Sequence, residues 1–215
     1  MSHSLPRRLR SYAEIDQHIQ SLVRCDPLLA EAHAIGGRPR KRLETGDFRA
    51  IARIIVHQQV SLKSAAAICD RLEEGLDGIT PATVLIAGES GLGRLGLTRA
   101  KAKSIYQIAR QVHEKSFSFQ RLARMEDESA RAALIALPGI GPWSAEIYLL
   151  THMGRADAFP AGDLALQEVV RVLEGQKERP TEDALMARAV RWKPSRAVAA
   201  RLLWAAYPII KSKAY

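Results

Sequence analysis

The sequence predicts an all-α protein, and three observations support this prediction. Apolar residues recur every three or four positions along most of the chain, which is typical of one buried face of a helix. An early example is the set Ile15, Ile19, Leu22 and Val23. No convincing alternation of apolar and polar residues indicates a strand. Residues that favour a helix N-terminus, such as Ser61 and Pro142, stand at the start of several periodic segments.

About ten helices are expected, in chain order. They cover 11–25, 47–60, 61–72, 80–87, 98–114, 128–137, 142–152, 163–173, 181–191 and 194–206. The segment 26–42 is rich in turn-forming residues around 36–39, so we expect it to cross between lobes. We expect 88–97 to be a glycine-rich turn and 121–125 to be a short connector.

The length of the chain predicts its domain organisation. Its 215 residues allow one domain with an ample apolar core. We expect this domain to consist of two helical lobes with a cleft between them. Residues 1–46 and 155–215 would form one lobe, and residues 47–154 would form the other.

The charge of the chain indicates a polyanionic partner. Lysine and arginine number 32 against 23 aspartates and glutamates, and the isoelectric point is near 9.9. Such an excess suits nucleic acid, although charge alone does not identify the chemistry.

The two cysteines and the absence of long apolar segments exclude several classes of protein. Cys25 and Cys69 are too few for a four-cysteine iron–sulfur cluster, and no disulfide scaffold is indicated. No run of about 18 apolar residues predicts a membrane span, and no signal peptide is expected. We therefore expect a cytoplasmic monomer, associated with the nucleoid if the source is bacterial.

The segment 137–145 carries the strongest motif of the chain, Leu-Pro-Gly-Ile-Gly-Pro-Trp-Ser-Ala. Gly139 and Gly141 allow a tight turn with accessible backbone N–H groups between two helices. Pro142 suits the first position of the second helix because it has no N–H to leave unsatisfied. The start of that helix is thus a potential anion site, and in a basic protein the expected anion is a DNA phosphate. A plain helix–turn–helix corner is the alternative interpretation.

A second motif surrounds Asp163. The segment 159–167 is Phe-Pro-Ala-Gly-Asp-Leu-Ala-Leu-Gln, and Asp163 stands where a helix is expected to begin. An aspartate at this position is most often an N-cap. The start of a helix also favours an ionised carboxylate, so a structural role and a chemical role are compatible.

Together these motifs resemble the DNA base-excision glycosylases of the helix-hairpin-helix superfamily, and the likeness extends from about 48 to 204. The hairpin matches the pattern L-P-G-I-G-x-x-x-A, and 159–167 matches F-P-x-D-D-L-A-L-x except that Gly162 replaces the first acidic residue. The segments 58–61 and 96–102 resemble the patterns Q-Q-x-S and G-L-S-x-x-K-A. The segment 191–204 resembles the tail R-W-x-P-W/Y-R…W of the alkyl-purine glycosylases.

The resemblance implies a role for each matching residue. It implies that Asp163 is catalytic and that Gln59, with Gln58 as the second choice, fills the gap left by a flipped base. The implied base pocket comprises Trp143, Trp204, Ile147 and Leu164. The implied DNA contacts come from Gln58, Gln59, Ser61, Gly139, Gly141, Ser144, Arg99 and Lys101. For Arg99 and Lys101 the alternative is that they face solvent. A monovalent cation, Na⁺ or K⁺, would bind the backbone carbonyls of Ile135, Leu137 and Ile140.

Trp143 determines the subclass that the resemblance implies. Members that also cleave the strand carry a lysine at this position of the hairpin, whereas alkyl-purine glycosylases carry an aromatic residue. We therefore expect release of 3-methyladenine and 7-methylguanine from double-stranded DNA by hydrolysis, without lyase activity. The alternatives are a non-catalytic DNA-binding protein, or a monofunctional glycosylase for oxidised or deaminated bases.

Overall fold

A computed structural model describes residues 5–40 and 45–213 of the chain. Within these residues it contains twelve α-helices and one 3-10 helix. The same residues form no strand beyond an isolated bridge between Arg8 and Arg155, so the all-α prediction is confirmed for this part of the chain. No helix among them is both long enough and apolar enough to cross a lipid bilayer.

The helices follow one another with short connections. They are α1 Tyr12–Cys25, α2 Pro27–Gly36, α3 Phe48–His57, α4 Leu62–Leu76, α5 Pro81–Arg94, α6 Arg99–His113, α7 Phe119–Arg124, α8 Asp127–Ile135, α9 Pro142–Thr151, α10 Leu164–Leu173, α11 Glu182–Ala189 and α12 Arg196–Lys213. The 3-10 helix Val190–Trp192 follows α11 directly.

The chain divides into two compact units. The first comprises Met1–Leu43 and Leu149–Tyr215, and the second comprises Glu44–Tyr148. In the first unit α12 packs against α2, α10 and α1. In the second unit α6 packs against α5 and α3, and α4 packs against α3. That the two units act as one domain, with a cleft between them, stays a prediction.

Side-chain caps explain where many of the helices begin. The Ser11 hydroxyl accepts a hydrogen bond from the Glu14 N–H at 3.2 Å, while the Glu14 carboxylate accepts from the Ser11 N–H at 2.9 Å. Asp47 and Thr98 cap α3 and α6 with one side-chain oxygen each, which accepts from the N–H three residues later. Each such cap satisfies a backbone N–H that helix geometry leaves without an intrahelical partner.

The expectation of a turn-rich crossing over 26–42 is wrong for most of that segment, because α2 lies there. Asp26 caps α2 and Pro27 is its first residue, so the Asp-Pro pair starts a helix rather than a turn. Leu28 and Leu29 are buried and hold the helix in the core of the first unit. Residues 41 and 42 of the predicted crossing lie outside the described residues.

Two shorter segments expected to be irregular are also helical. After a break at Gly88, where φ is +65°, α5 continues to Arg94 and buries Leu92 completely. Leu122 is buried in α7, which replaces the predicted connector at 121–125. Gly91 and Gly93 in the second half of α5 lower helix propensity by about 1 kcal/mol each relative to alanine. The complete burial of Leu92, about 1.5–3 kcal/mol, offsets that cost.

A buried ionic network joins α2 to the 3-10 helix in the first unit. Asp26, which is 3 % exposed, accepts hydrogen bonds from the Trp192 indole at 2.7 Å and from Arg188 at 2.9 Å. Burial alone would raise the pKa of Asp26, but the bonds from Trp192 and Arg188 outweigh it and lower that pKa. The carboxylate is therefore a stabilising anion at neutral pH, because its charge is fully paired.

Asp26→Ala should lower the free energy of unfolding by about 3–5 kcal/mol. It leaves the Trp192 N–H without its acceptor, removes the cap of α2, and leaves Arg188 with Glu174 as its remaining ion-pair partner. The contribution of Asp26 should be complete above about pH 4 and should disappear as the pH falls through its lowered pKa. Urea titrations at several pH values measure both effects. Asp16→Ala is the matched control, because its ion pair with Arg38 is exposed and should contribute at most about 1 kcal/mol.

Candidate active site and nucleic-acid interface

A tight hairpin joins α8 to α9 in the second unit. The Ile140 N–H donates to the Leu137 carbonyl at 3.2 Å, and the Ala145 N–H donates to the Gly141 carbonyl at 3.0 Å, which starts α9. The side chains of Leu137 and Ile140 are buried and anchor the hairpin. Pro142 is the first residue of α9, so the first turn of that helix is presented at the hairpin.

The two glycines of the hairpin serve different purposes. Gly139 has φ +78°, and a Cβ atom on it would lie 2.5 Å from the Ser104 hydroxyl of α6. Only glycine therefore fits this position without a shift of its neighbours. A Cβ atom on Gly141 would meet no atom within 4 Å. Gly141 thus leaves open space beside the start of α9, where backbone N–H groups can approach an anion.

An ion pair that the sequence analysis missed holds the two hairpin helices together. Arg131 of α8 bonds to Glu146 of α9, and it also contacts Glu128 at 2.7 Å. Glu146 is 7 % exposed, so this pair is largely shielded from solvent. The two residues are separated by fifteen positions on different helices, and no local sequence pattern marks such a pair.

Gln58 connects the turn between α3 and α4 to the hairpin. Its side-chain amide donates to the Gly139 carbonyl and to the Ser144 hydroxyl, both at 2.9 Å. The Ser144 hydroxyl accepts this bond and is buried, at 3 % exposure of the residue. We therefore expect a contact of Ser144 with phosphate to use its backbone N–H in the first turn of α9.

Gln59, unlike Gln58, exposes its side chain to solvent. It lies in the same turn, and its backbone has φ +56°. A non-glycine residue in this left-handed region is strained by about 1–2 kcal/mol. Ser61, two residues later, caps α4 by accepting from the Ser64 N–H at 3.1 Å. The turn therefore presents Gln59 outward from a firmly held backbone.

Lys101 holds the end of α3, and its contact with DNA stays a prediction. Its ammonium donates to the carbonyls of Val56 at 2.9 Å and Gln58 at 2.7 Å. Burial lowers the pKa of Lys101. A cation at the C-terminal end of a helix is favourable because carbonyls there lack intrahelical donors. Arg99, in contrast, is exposed, and its side chain makes no hydrogen bond or ion pair with a described residue.

Asp163 lies at the start of α10 in the first unit. Its Oδ1 atom accepts hydrogen bonds from the backbone N–H groups of Ala165 at 3.0 Å and Leu166 at 3.2 Å. The same atom accepts from the indole N–H of Trp204 at 3.1 Å. Three donors on one oxygen fix the orientation of the half-buried carboxylate. The sequence predicted the cap, but it did not predict the bond from Trp204.

The chain before Asp163 is rigidly held. Phe159 is fully buried and packs edge to face against Trp192, with ring centroids 5.6 Å apart. The Gln167 side chain donates to the Ala161 carbonyl at 3.0 Å, and the Asp163 N–H donates to the Pro160 carbonyl at 2.9 Å. The aspartate thus stands on a well-defined turn.

The sequence over 52–195 matches the family described as the HhH-GPD superfamily base excision DNA repair protein. This match covers the hairpin, Asp163 and the turn that carries Gln59. The chain belongs to the HhH-GPD superfamily.

Several individual HhH-GPD proteins resemble the chain. A Bacillus subtilis protein named as a DNA-3-methyladenine glycosylase, YfjP, is 28% identical over 170 residues, which are 75% of this chain and 59% of that protein. The Mycobacterium tuberculosis protein named as a bifunctional transcriptional activator/DNA repair enzyme, AlkA, is 30% identical over 212 residues, or 92% of this chain and 41% of AlkA. The chain thus spans about half the length of these curated relatives.

A solved structure confirms the fold class at the level of the family. The DNA-3-methyladenine glycosidase of Bacillus halodurans superposes with a TM-score of 0.78 at 27% sequence identity. The superposition covers 91% of each chain. The helix-hairpin-helix glycosylase fold predicted from the sequence is therefore confirmed.

The remaining predicted pocket residues of this HhH-GPD chain fall in both units. Leu164 and Trp204 lie in the first unit beside Asp163, where Leu164 is 63% exposed and Trp204 is half-buried. Trp143 and Ile147 lie in the second unit, on α9, and both are half-buried. That the four residues form one pocket stays a prediction. The described residues contain no cluster of His, Cys, Asp or Glu that could hold a metal ion.

Proposed function

We propose that this HhH-GPD chain is a DNA glycosylase that hydrolyses the N-glycosidic bond of alkylated purines, such as 3-methyladenine and 7-methylguanine, in double-stranded DNA. The observation that carries the proposal is the Asp163 carboxylate, oriented by Ala165, Leu166 and Trp204 at the start of α10. The names of the relatives support the substrate class. Such an enzyme works where the chromosome lies, which is the cytoplasm in a bacterium.

The hairpin is the proposed grip on the damaged strand. Backbone N–H groups at the start of α9 would bind phosphate oxygens, and the open space beside Gly141 would let the DNA backbone approach. Contacts of this kind position a protein on DNA without recognising the sequence of bases. A repair enzyme needs such contacts because lesions occur in any sequence.

Gln59 is the proposed side chain that fills the gap left by the flipped base. It is exposed at the tip of the α3–α4 turn, whereas the amide of Gln58 is bonded to Gly139 and Ser144. Flipping is required because the glycosidic carbon is not accessible within a stacked duplex. The network of Gln58 and Lys101 would keep the backbone of this turn rigid while Gln59 enters the stack.

In the proposed reaction, the bond between the sugar C1′ and the purine nitrogen breaks, and its electron pair leaves with the base. Positive charge develops on the sugar, and the Asp163 carboxylate stabilises it. Water adds to C1′ and gives its proton to Asp163, which leaves an abasic site and a free base. Alkylation at N3 or N7 makes the purine cationic, so the base departs without a protein acid.

Trp143 supports both the lesion class and the absence of lyase activity. An aromatic face attracts a cationic purine through stacking and cation–π interaction. Trp143 also stands where strand-cleaving relatives carry the lysine that attacks the sugar. Its side chain offers no amine for a Schiff base, so water is the proposed nucleophile.

We also propose that the hairpin holds a monovalent cation through the carbonyls of Ile135, Leu137 and Ile140. Carbonyls at the end of a helix such as α8 lack intrahelical donors. The Leu137 carbonyl accepts one hydrogen bond, from the Ile140 N–H, and keeps a second lone pair. A cation there would offset the negative end of α8 and support the backbone of the hairpin.

The test is base release from methylated duplex DNA, with strand breaks measured before and after alkali. We expect free 3-methyladenine and 7-methylguanine, with breaks only after alkali treatment. Matched duplexes with an oxidised or a deaminated base test the other lesion classes. Breaks without alkali would contradict the monofunctional assignment. Tight binding of lesions without release of any base would indicate a binding protein instead.

A further inference from the structure

The space where residue 162 would carry a side chain is filled by a carboxylate from another helix. A Cβ atom on Gly162 would lie 3.0 Å from Oε2 and 3.3 Å from Cδ of Glu182. Contacts as short as 3.0–3.4 Å are tighter than most real Cβ contacts. Gly162 directly precedes Asp163 in the chain, and its lack of a side chain makes room for the Glu182 carboxylate.

Neither helix capping nor a bond to a neighbouring side chain explains the position of the Glu182 carboxylate. Glu182 is the first residue of α11, and the cap of that helix comes from Thr181, whose hydroxyl accepts from the Ala184 N–H at 3.2 Å. The exposed Glu182 side chain forms no hydrogen bond or ion pair with any residue that the structure describes. The start of α11 favours a negative charge, so the carboxylate is accommodated there without a partner.

We infer that Glu182 supplies, from α11, the second carboxylate that the matching motif carries at the position of Gly162. This inference rests on the proposed glycosylase function. The charge would act through space, adding to the negative potential around Asp163 where positive charge develops on the sugar. The same charge repels DNA phosphates. Glu182 should therefore accelerate base release while slightly weakening the binding of DNA.

The first experiment compares Glu182→Gln with Asp183→Asn. Both remove one negative charge from the first turn of α11, but only Glu182 occupies the space that a side chain at residue 162 would need. Glu182→Gln should lower the single-turnover rate of base release about fivefold to tenfold, while affinity for undamaged duplex stays equal or rises. Asp183→Asn should change the rate less than about twofold. Equal rates for the two variants would overturn the inference.

The second experiment places a carboxylate at residue 162 in a protein that lacks the carboxylate of Glu182. Glu182→Ala should be as slow as Glu182→Gln, and the double variant Gly162→Asp with Glu182→Ala should recover most of the wild-type rate. Such recovery identifies the carboxylate rather than the packing of Glu182 as the relevant feature. A double variant that folds normally and remains as slow as Glu182→Ala would contradict the inference.

A binding measurement separates this inference from the proposed function. Duplexes with a cationic pyrrolidine or a neutral tetrahydrofuran in place of one sugar are compared for each protein. Wild type should prefer the cationic analogue, because it resembles the charged transition state, and Glu182→Gln should reduce that preference about fivefold. If wild type shows this preference and Glu182→Gln reduces it, but wild type releases no base, the proposed glycosylase function fails while the electrostatic contribution of Glu182 stands. An unchanged preference in Glu182→Gln overturns the inference, whether or not bases are released.

Discussion

Asp163→Asn should reduce the single-turnover rate of base release about 100-fold to 1,000-fold, because it removes the anion proposed to stabilise the sugar cation. The asparagine oxygen can still accept hydrogen bonds from Ala165, Leu166 and Trp204. Asparagine and aspartate are equally good helix caps, so the free energy of unfolding should change by less than about 0.5 kcal/mol. Quenched-flow assays on methylated duplex and urea titrations measure the two quantities.

Asp163→Ala completes this comparison. Alanine removes the cap of α10, at about 1 kcal/mol, and leaves the Trp204 N–H without this acceptor, at about 1–3 kcal/mol. Both variants should release bases at similarly reduced rates, but only the alanine variant should be less stable. An asparagine variant that releases bases at nearly the wild-type rate would show that Asp163 is only a helix cap.

Gly139→Ala should weaken the binding of duplex DNA about tenfold or more. Alanine at φ +78° is strained by about 1–2 kcal/mol, and its Cβ atom would clash with the Ser104 hydroxyl 2.5 Å away. The hairpin must shift to relieve the clash, and the N–H groups proposed to bind phosphate shift with it. Fluorescence anisotropy at several salt concentrations measures the loss. Each lost phosphate contact should flatten the slope of log affinity against log salt by about 0.9.

Gly175→Ala is the matched control for backbone strain. Gly175 follows α10 in the first unit, has φ +65°, and faces open space. Its substitution should lower the free energy of unfolding by an amount similar to the strain at Gly139, with unchanged affinity for DNA. If both variants bind DNA as wild type does, the hairpin is a structural corner and not the grip.

The sequence predicts the helices well wherever a cap and a periodic apolar face agree. Ser11, Asp47, Ser61 and Thr98 all cap helices that the pattern predicts. The failures at α2 and in the second half of α5 occur where glycine or proline stands beside apolar residues. In such segments the local propensity favours a turn, but burial of the apolar side chains in the tertiary structure stabilises a helix.

The candidate site is predictable only as far as its motifs are local. Short sequence patterns predict Asp163 and the hairpin glycines, because each of these residues acts within its own segment, as a helix cap or in a turn. Lys101 illustrates the limit. Its place in the motif predicts a contact with DNA, but no local pattern predicts that the fold directs its ammonium to the carbonyls of Val56 and Gln58.

The bond from Trp204 to Asp163 and the position of the Glu182 carboxylate next to Gly162 could not be predicted for the same reason. Each joins segments that are distant in sequence, by 41 positions in the case of the indole and the carboxylate. Sequence patterns report on the helix to which a residue belongs, and not on the helix packed against it.

The left-handed backbone at Gln59 affects how this protein would respond to selection in the laboratory. Glycine or asparagine would adopt φ +56° more readily than glutamine and would relieve the strain. A screen that rewards heat resistance alone would therefore enrich such residues at position 59. The selected variants would be more stable, but they would lack the glutamine side chain proposed to hold the duplex open. Selection for thermal stability and selection for DNA repair would therefore favour different residues at position 59.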